Sequence, residues 1–181
     1  MKIHFSPTEP NGNQVSSAST VDKLITDLKS TNANVREDAA FKLSKLGKEA
    51  KQAVSALTEA LKDDNPLVLL SVVEALKNMG KDAEPAIPSL LNAVNNVPID
   101  NRNILIALSV IGKETVPAML KAFEIDDKLI RHYIAIVLVN VGIQEPKTIP
   151  FLEKNASENS NPIVRQYLEV VLNNIKAKTN N

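Results

Sequence analysis

The chain contains no cysteine and no tryptophan. The first absence removes disulfides, thiolate nucleophiles and Cys-based zinc sites. Aromatic residues make up only 3% of the sequence, too few for the aromatic and β-branched packing on which sheet sandwiches rest. Neither sign of charge is in excess: 21 Lys and Arg face 21 Asp and Glu. A neutral chain lacks the basic surface through which phosphate backbones are held, which disfavours nucleic acid as a partner. No apolar run approaches a membrane span, and the stretch 134–141 is far too short. The opening MKIHFSPTEP has neither the basic start nor the apolar core of a signal peptide, so a cytoplasmic protein without membrane insertion is expected. Five glycines are present, and none belongs to a phosphate-cradling loop.

What is present is aliphatic. Apolar residues make up 44% of the 181 residues, dominated by Ala, Leu, Val and Ile, which suits packed helices in one domain. Residues 1–19 are rich in Ser, Asn, Pro and Gly without helical period, and read as a flexible lead-in. Residues 177–181 read as a polar tail, leaving 20–176 as the folded unit.

Internal repetition decides the fold. Gly47, Gly80, Gly112 and Gly142 each close a similar segment: VREDAAFKLSKLG, VLLSVVEALKNMG, RNILIALSVIG and IRHYIAIVLVNVG. A fifth copy, VRQYLEVVLNNIK, has Lys176 where the glycine would stand. Counting back from these positions, the apolar residues fall into columns: Ala39, Val72, Ile104, Ile134, Leu168; then Leu43, Leu76, Leu108, Leu138, Leu172; then Leu46, Met79, Ile111, Val141, Ile175. This is the i, i+4, i+7 stripe of an amphipathic helix. A glycine just past the last apolar position supplies the left-handed turn that ends it.

The starts align as well. Asn32, Asn65, Asp127 and Asn161 share a column, with Val97 the exception, and Pro66, Pro98 and Pro162 follow. Asn or Asp caps the free amides of a first turn, and Pro suits the first helical position. The spacing predicts helices over 33–46, 66–79, 98–111, 128–141 and 162–175. Each is preceded by a shorter one bearing AVSAL, AIPSL, TVPAM or TIPFL, with Ser55, Pro88, Pro117 and Pro150 in one column. The sum is an all-α superhelix, a solenoid of about five antiparallel helix pairs. Its first helix is polar enough to cap the array, whereas the last carries apolar residues on more than one side.

These segments resemble HEAT repeats, in particular the short bacterial phycobilisome-lyase HEAT-like, armadillo-type kind; the clearest stretches are AVSALTEALKDDNPLV and VREDAAFKLSKLG. The resemblance covers 21–176. It implies that Arg36, Arg131 and Arg165, one residue into each second helix after its Val or Ile, are structural and reach an acidic or amide group in a neighbouring turn. Leu69 and Asn101 depart from that pattern. Such repeats serve as scaffolds, adaptors, chromophore lyases, DNA glycosylases and metal-dependent hydroxylases, so the fold does not choose the function.

The residues argue against most catalytic branches. A hydroxylase of this architecture needs His–Glu pairs for iron, and the only histidines, His4 and His132, precede no glutamate. Asp63–Asp64 and Asp126–Asp127 fall in turns where acids favour the next helix start. Lys42, Lys45, Lys48 and Lys51 form a solvated face confined to the first repeat junction. No cofactor or metal is implied. The expectation is a non-catalytic scaffold whose partner is another protein, with a bilin lyase-like enzyme subunit as the alternative and nucleic-acid binding after it.

Second helices line the concave face of such a solenoid. Six positions before the repeat glycine stand Phe41, Glu74, Ile106, Ile136 and Val170, in a column usually polar. The neighbouring columns hold Leu70, Arg102 and His132, and then Tyr133 and Tyr167. Phe41, Leu70, Ile106, Tyr133, Ile136, Tyr167 and Val170 are therefore the candidate partner-binding residues. The idea requires Ile106 and Ile136 to face solvent.

Overall fold

The computed structural model describes residues 17–96 and 99–179. Among these residues helices are joined by short turns, with no strand. Ten α-helices follow in order: α1 Ser17–Asp27, α2 Ala33–Leu46, α3 Val54–Ala60, α4 Pro66–Met79, α5 Ile87–Asn96, α6 Asn101–Ile111, α7 Val116–Ala122, α8 Lys128–Gln144, α9 Ile149–Glu158 and α10 Pro162–Thr179. Most of the lead-in expected over 1–19, with His4, lies outside the described residues, and α1 is already helical at Ser17. The tail expected from 177 continues α10 as far as Thr179.

The helices pair as α1/α2, α3/α4, α5/α6, α7/α8 and α9/α10. The second members, α2, α4, α6, α8 and α10, stack directly on one another along the array. The three apolar columns form this stack. Ala39, Val72, Ile104, Ile134 and Leu168 are buried, as are Leu43, Leu76, Leu108, Leu138 and Leu172. In the third column only Leu46, at the edge of the array, is half-buried. The same stripe thus serves each helix against its own partner and against the next repeat.

The helix starts are set by side chains. Asn32, Asn65 and Asp127 each accept a hydrogen bond from the amide two residues on, at 2.8–2.9 Å, and Asn161 does the same toward Ile163. The third repeat departs from the expected column. There α6 begins at Asn101, not 98, and Asp100 is the cap, accepting from the Arg102 amide at 2.9 Å. Val97 and Pro98 lie outside the described residues. A cap works wherever a carboxylate meets two free amides, so a fixed count from the glycine placed this start three residues early.

Between repeats the chain turns through 3-10 segments, Gly47–Ala53, Gly80–Ala86, Lys113–Thr115 and Pro146–Thr148, which the periodicity did not announce. Ser55, Pro88, Pro117 and Pro150 each fall second in the following helix, where no intrahelical donor is lost. The residue before each helix is small and buried: Ala53, Ala86, Thr115 and Thr148. The threonine hydroxyls donate to the carbonyls of Gly112 and Glu145 at 2.6 and 2.8 Å, which satisfies their burial.

Gly47 and Gly80 end α2 and α4 with φ of 53° and 59°, and Gly112 ends α6 at 109°, a region that excludes most side chains. Gly142 behaves otherwise. It lies inside α8, which runs on to Gln144, and its φ is not positive. The expectation of a helix-ending turn there is corrected: a Cβ on Gly142 would stand 2.4 Å from Cδ1 of the buried Ile175. The glycine is required for the close approach of α10, a tertiary demand that occupies the same column as the turn glycines.

The last helix buries most of its large apolar residues and leaves Val170 exposed. Val164, Leu168, Val171, Leu172 and Ile175 are buried, whereas Gln166, Glu169, Asn173 and Lys176 face solvent, so the end of the array is largely polar. In α8, apolar nearly all round, Ala135, Val137 and Val139 are covered by the helices on either side.

Gly142→Ala is expected to destabilise the protein despite the gain in helix propensity, because overpacking costs about 1–3 kcal/mol against at most about 1 kcal/mol gained. Adding Ile175→Val, which removes Cδ1, should recover much of the loss. Urea unfolding of the two single variants and the double variant checks this: additive losses would show that the methyl contact is not the cause.

Candidate functional site

The second helices present one face to solvent, and the apolar side chains that the core leaves uncovered gather there. Among the described residues ten large hydrophobic side chains are exposed, and nine of them, all but Phe151, lie on α2, α4, α6, α8 or α10. Phe41, Leu70, Ile106, Ile136 and Val170 are 42–51% exposed. Ile106 and Ile136 thus face solvent, as a binding role requires. Helical geometry explains it: these positions lie two residues from buried columns on a turn of 3.6, and so point away from them.

Tyr133 and Tyr167 sit lower than the aliphatic residues, half-buried against the core. Tyr167 stacks on the fully buried Phe123, with ring centroids 5.1 Å apart and planes 25° off parallel. Most of its ring is therefore spent on packing, and sequence columns did not reveal Phe123 because it lies in the turn after α7. The Tyr133 ring is 6.3 Å from that of the exposed His132. Four exposed residues of the second helices escaped the sequence reading, Val35, Leu67, Val110 and Leu129, as did Phe151 on α9. Leu67 and Leu129 each stand two residues after a cap, so the cap column could have signalled them.

Charges on this face are largely paired on their own helices. Lys42 meets Asp38 at 2.6 Å and Lys77 meets Glu74 at 2.6 Å. Arg102 bonds Asp100 through Nε at 2.6 Å, and these bonds hold the Asp100 carboxyl below the usual carboxylate range. Lys45 lies 4.7 Å over the Phe41 ring, partly covering it.

At the rim, the three arginines clasp the loops ahead of the second helices. Arg36 donates to the carbonyls of Ser30 and Thr31, and Arg165 to those of Asn159 and Ser160. Arg131 donates to the Phe123 carbonyl at 2.9 Å and lies 3.4 Å from Asp126. Their shared feature is thus carbonyl capture within their own repeat. Only Arg36 reaches across to the next repeat as well, forking onto Asp63 at 2.6 and 2.9 Å. Asp63 also accepts from the Asn65 amide at 2.9 Å. The Arg36 bond, first, holds the Asp63 carboxyl below its ordinary range, against the opposing effect of burial.

Between α8 and α10 the face deepens into a cleft of about 190 Å³. Ala135, Val139 and Val171 form its floor, and Ile136 and Val170 stand beside it. Among the described residues no group of His, Asp and Glu could hold a metal ion, and no helix is long and apolar enough to cross a membrane.

Stacked helix pairs with a continuous second-helix layer define an α-solenoid. Residues 21–109 match the family model for HEAT repeats and belong to that family, and the buried columns continue in the same register through the fifth pair. Solved structures of similar fold include the complex of CpcE and CpcF of phycocyanin lyase from Nostoc sp. PCC7120, at TM-score 0.55 and 20% identity over 98% of this chain and 71% of that one. A designed armadillo-repeat protein in complex with the peptide (KR)4 aligns at TM-score 0.55 and 16% identity, over 87% of this chain and 82% of that one. An engineered protein aligns at TM-score 0.54 and 20% identity over 88% of this chain, which spans about half of its length, 48%. Among curated proteins none matches the sequence.

Two predictions follow from this geometry. Ile106→Glu with Ile136→Glu should leave unfolding free energy nearly unchanged, within about 0.5 kcal/mol per site, whereas Leu108→Ala, in the buried column, should cost about 2–5 kcal/mol; chemical denaturation separates them. The carboxyl of Asp63 is depressed in the folded state, so its contribution is complete above the unfolded carboxylate range near about 4 and is lost as pH falls through the lower folded value. Asp63→Asn should lower the urea midpoint at pH 7 and flatten its fall in acid. Parallel pH profiles for the two proteins would sink the assignment.

Proposed function

We propose that this chain is a protein-interaction scaffold that seats a segment of a partner protein on the concave, second-helix face. The observation that carries this reading is the segregation of exposed apolar side chains: nine of the ten among the described residues lie on the second helices. Exposed apolar side chains beside charges that are largely paired on α2, α4 and α6 cost little to desolvate, which is what a binding surface needs. Phe41, Leu70, Ile106, Ile136 and Val170 supply the apolar contacts. Tyr133 and Tyr167 contribute their ring edges from a lower level. Two proteins of similar fold are themselves seen in complexes, CpcE with CpcF and a designed array with a peptide. Arg36, Arg131 and Arg165, with the caps Asn65 and Asp127, keep the face in shape by fixing the starts of the helices.

A second reading takes its support from the phycocyanin-lyase match: the chain would be one subunit of a bilin lyase-like enzyme. It predicts a change in bilin absorbance on mixing with the purified protein, which the scaffold reading does not.

The deciding experiment is affinity capture from source lysate with the wild type and with Ile106→Glu/Ile136→Glu, both checked by circular dichroism. A protein held by the wild type and lost by the variant supports the face. Equal retention by both would remove Ile106 and Ile136 from the site.

A further inference from the structure

The charge of this neutral chain is unevenly spread over the second-helix layer. Helix α8 contains no acidic residue and α10 only Glu169, against Lys128, Arg131, Arg165, Lys176 and Lys178 on the two helices. Arg131 and Arg165 are turned to loop carbonyls. Among the described residues, no ion pair occupies Lys128, Lys176 or Lys178. On α2 and α4, by contrast, Lys42 and Lys77 are neutralised by Asp38 and Glu74, and Lys45, on a helix that also carries Glu37, lies over the Phe41 ring. The last two second helices are therefore the part of the face with cations to spare.

The cleft lies between these same two helices. Its floor and walls are aliphatic, and its polar rim consists of His132, Asn140, Asn174 and Lys178, with no carboxylate. In the shared repeat register Lys178 stands twelve positions beyond His132, roughly 18 Å along the helices at 1.5 Å per residue. At about 190 Å³ the cleft is smaller than the roughly 300–1,000 Å³ of typical small-molecule sites. It has room for one or two large aliphatic side chains, while its rim follows a polypeptide segment.

Resting on the reading of the second-helix face as a protein-binding surface, we infer that the α8–α10 cleft takes an acidic-aliphatic segment of the partner. A large aliphatic side chain enters between Ile136 and Val170, and a flanking Asp or Glu meets Lys178. A basic segment is disfavoured, because it would place like charge against Lys178 and Lys128 without a carboxylate on the rim to receive it.

The test is selection from a phage-displayed library of random dodecapeptides on the wild type, with each enriched peptide then assayed on Ile136→Glu/Val170→Glu, where binding should be lost. The expected peptides combine a bulky aliphatic residue with an excess of Asp and Glu over Lys and Arg. A synthetic peptide from that set should bind Lys178→Glu about tenfold more weakly, the order of losing a charge-assisted pair. Replacing its acidic residue by lysine should restore affinity for that variant while weakening binding to the wild type. Predominantly basic or uncharged peptides, or an affinity indifferent to Lys178→Glu, would overturn the inference. Peptides that bind Ile136→Glu/Val170→Glu as well as wild type but fail on Phe41→Glu/Leu70→Glu would overturn the cleft and leave the face as a binding surface. If no peptide is enriched, the cleft is again overturned, and the lysate capture alone decides whether the face seats a protein.

Discussion

Everything in this molecule depends on the lateral stacking of its second helices. A helix pair of this size cannot bury its apolar residues alone, and each pair here is completed only by its neighbours. The columns through Ile104, Leu108 and Ile111 show how. They close the pair α5/α6 and at the same time form the seam with α4 and α8. Glycine at Gly142 belongs to the same constraint, because α10 approaches α8 so closely that a single methyl would meet Ile175.

Stacking alone would leave the pairs free to slide along their axes. Short polar contacts at the helix starts fix the loops within each repeat, and one of them crosses to the next. Asn32, Asn65, Asp100, Asp127 and Asn161 hold first-turn amides, and four residues past Asn32, Asp127 and Asn161 an arginine holds carbonyls of the preceding loop. The Arg36–Asp63 fork ties the first repeat to the second with both side chains largely withdrawn from water. Elsewhere the inter-repeat ion pairs are longer and wetter. Lys81–Glu114 and Lys113–Glu145 run along the turn edge at 3.8 and 4.0 Å, where such pairs contribute little.

A solenoid must also expose one face of its inner layer, and here that face is aliphatic. Phe41, Ile106, Ile136 and Val170 are among the large apolar side chains that stand about half exposed on that layer. Each therefore adds less burial to the stack than the columns beneath it. The division of labour along the face, with self-paired charges toward α2 and unpaired cations toward α10, adds a direction to that surface.

The repeat period, the buried columns and most helix starts were legible in the sequence, because periodic burial and first-turn capping are local and recur in every repeat. The exposed column through Ile106 and Ile136 was legible for the same reason, being the complement of the buried ones. What tertiary structure alone decided lay where a residue's role depends on what arrives from elsewhere in the chain. Gly142 shares a column with three turn glycines, yet serves the approach of α10. Asp100, not the aligned Val97, caps α6, since the chain before it sets where the helix can begin. Tyr167 looked free on its helix until Phe123, from the turn after α7, was placed against its ring. The cleft with its cationic rim arises only when α8 and α10 come to lie side by side, since spacing within one helix carries no information about the distance to another.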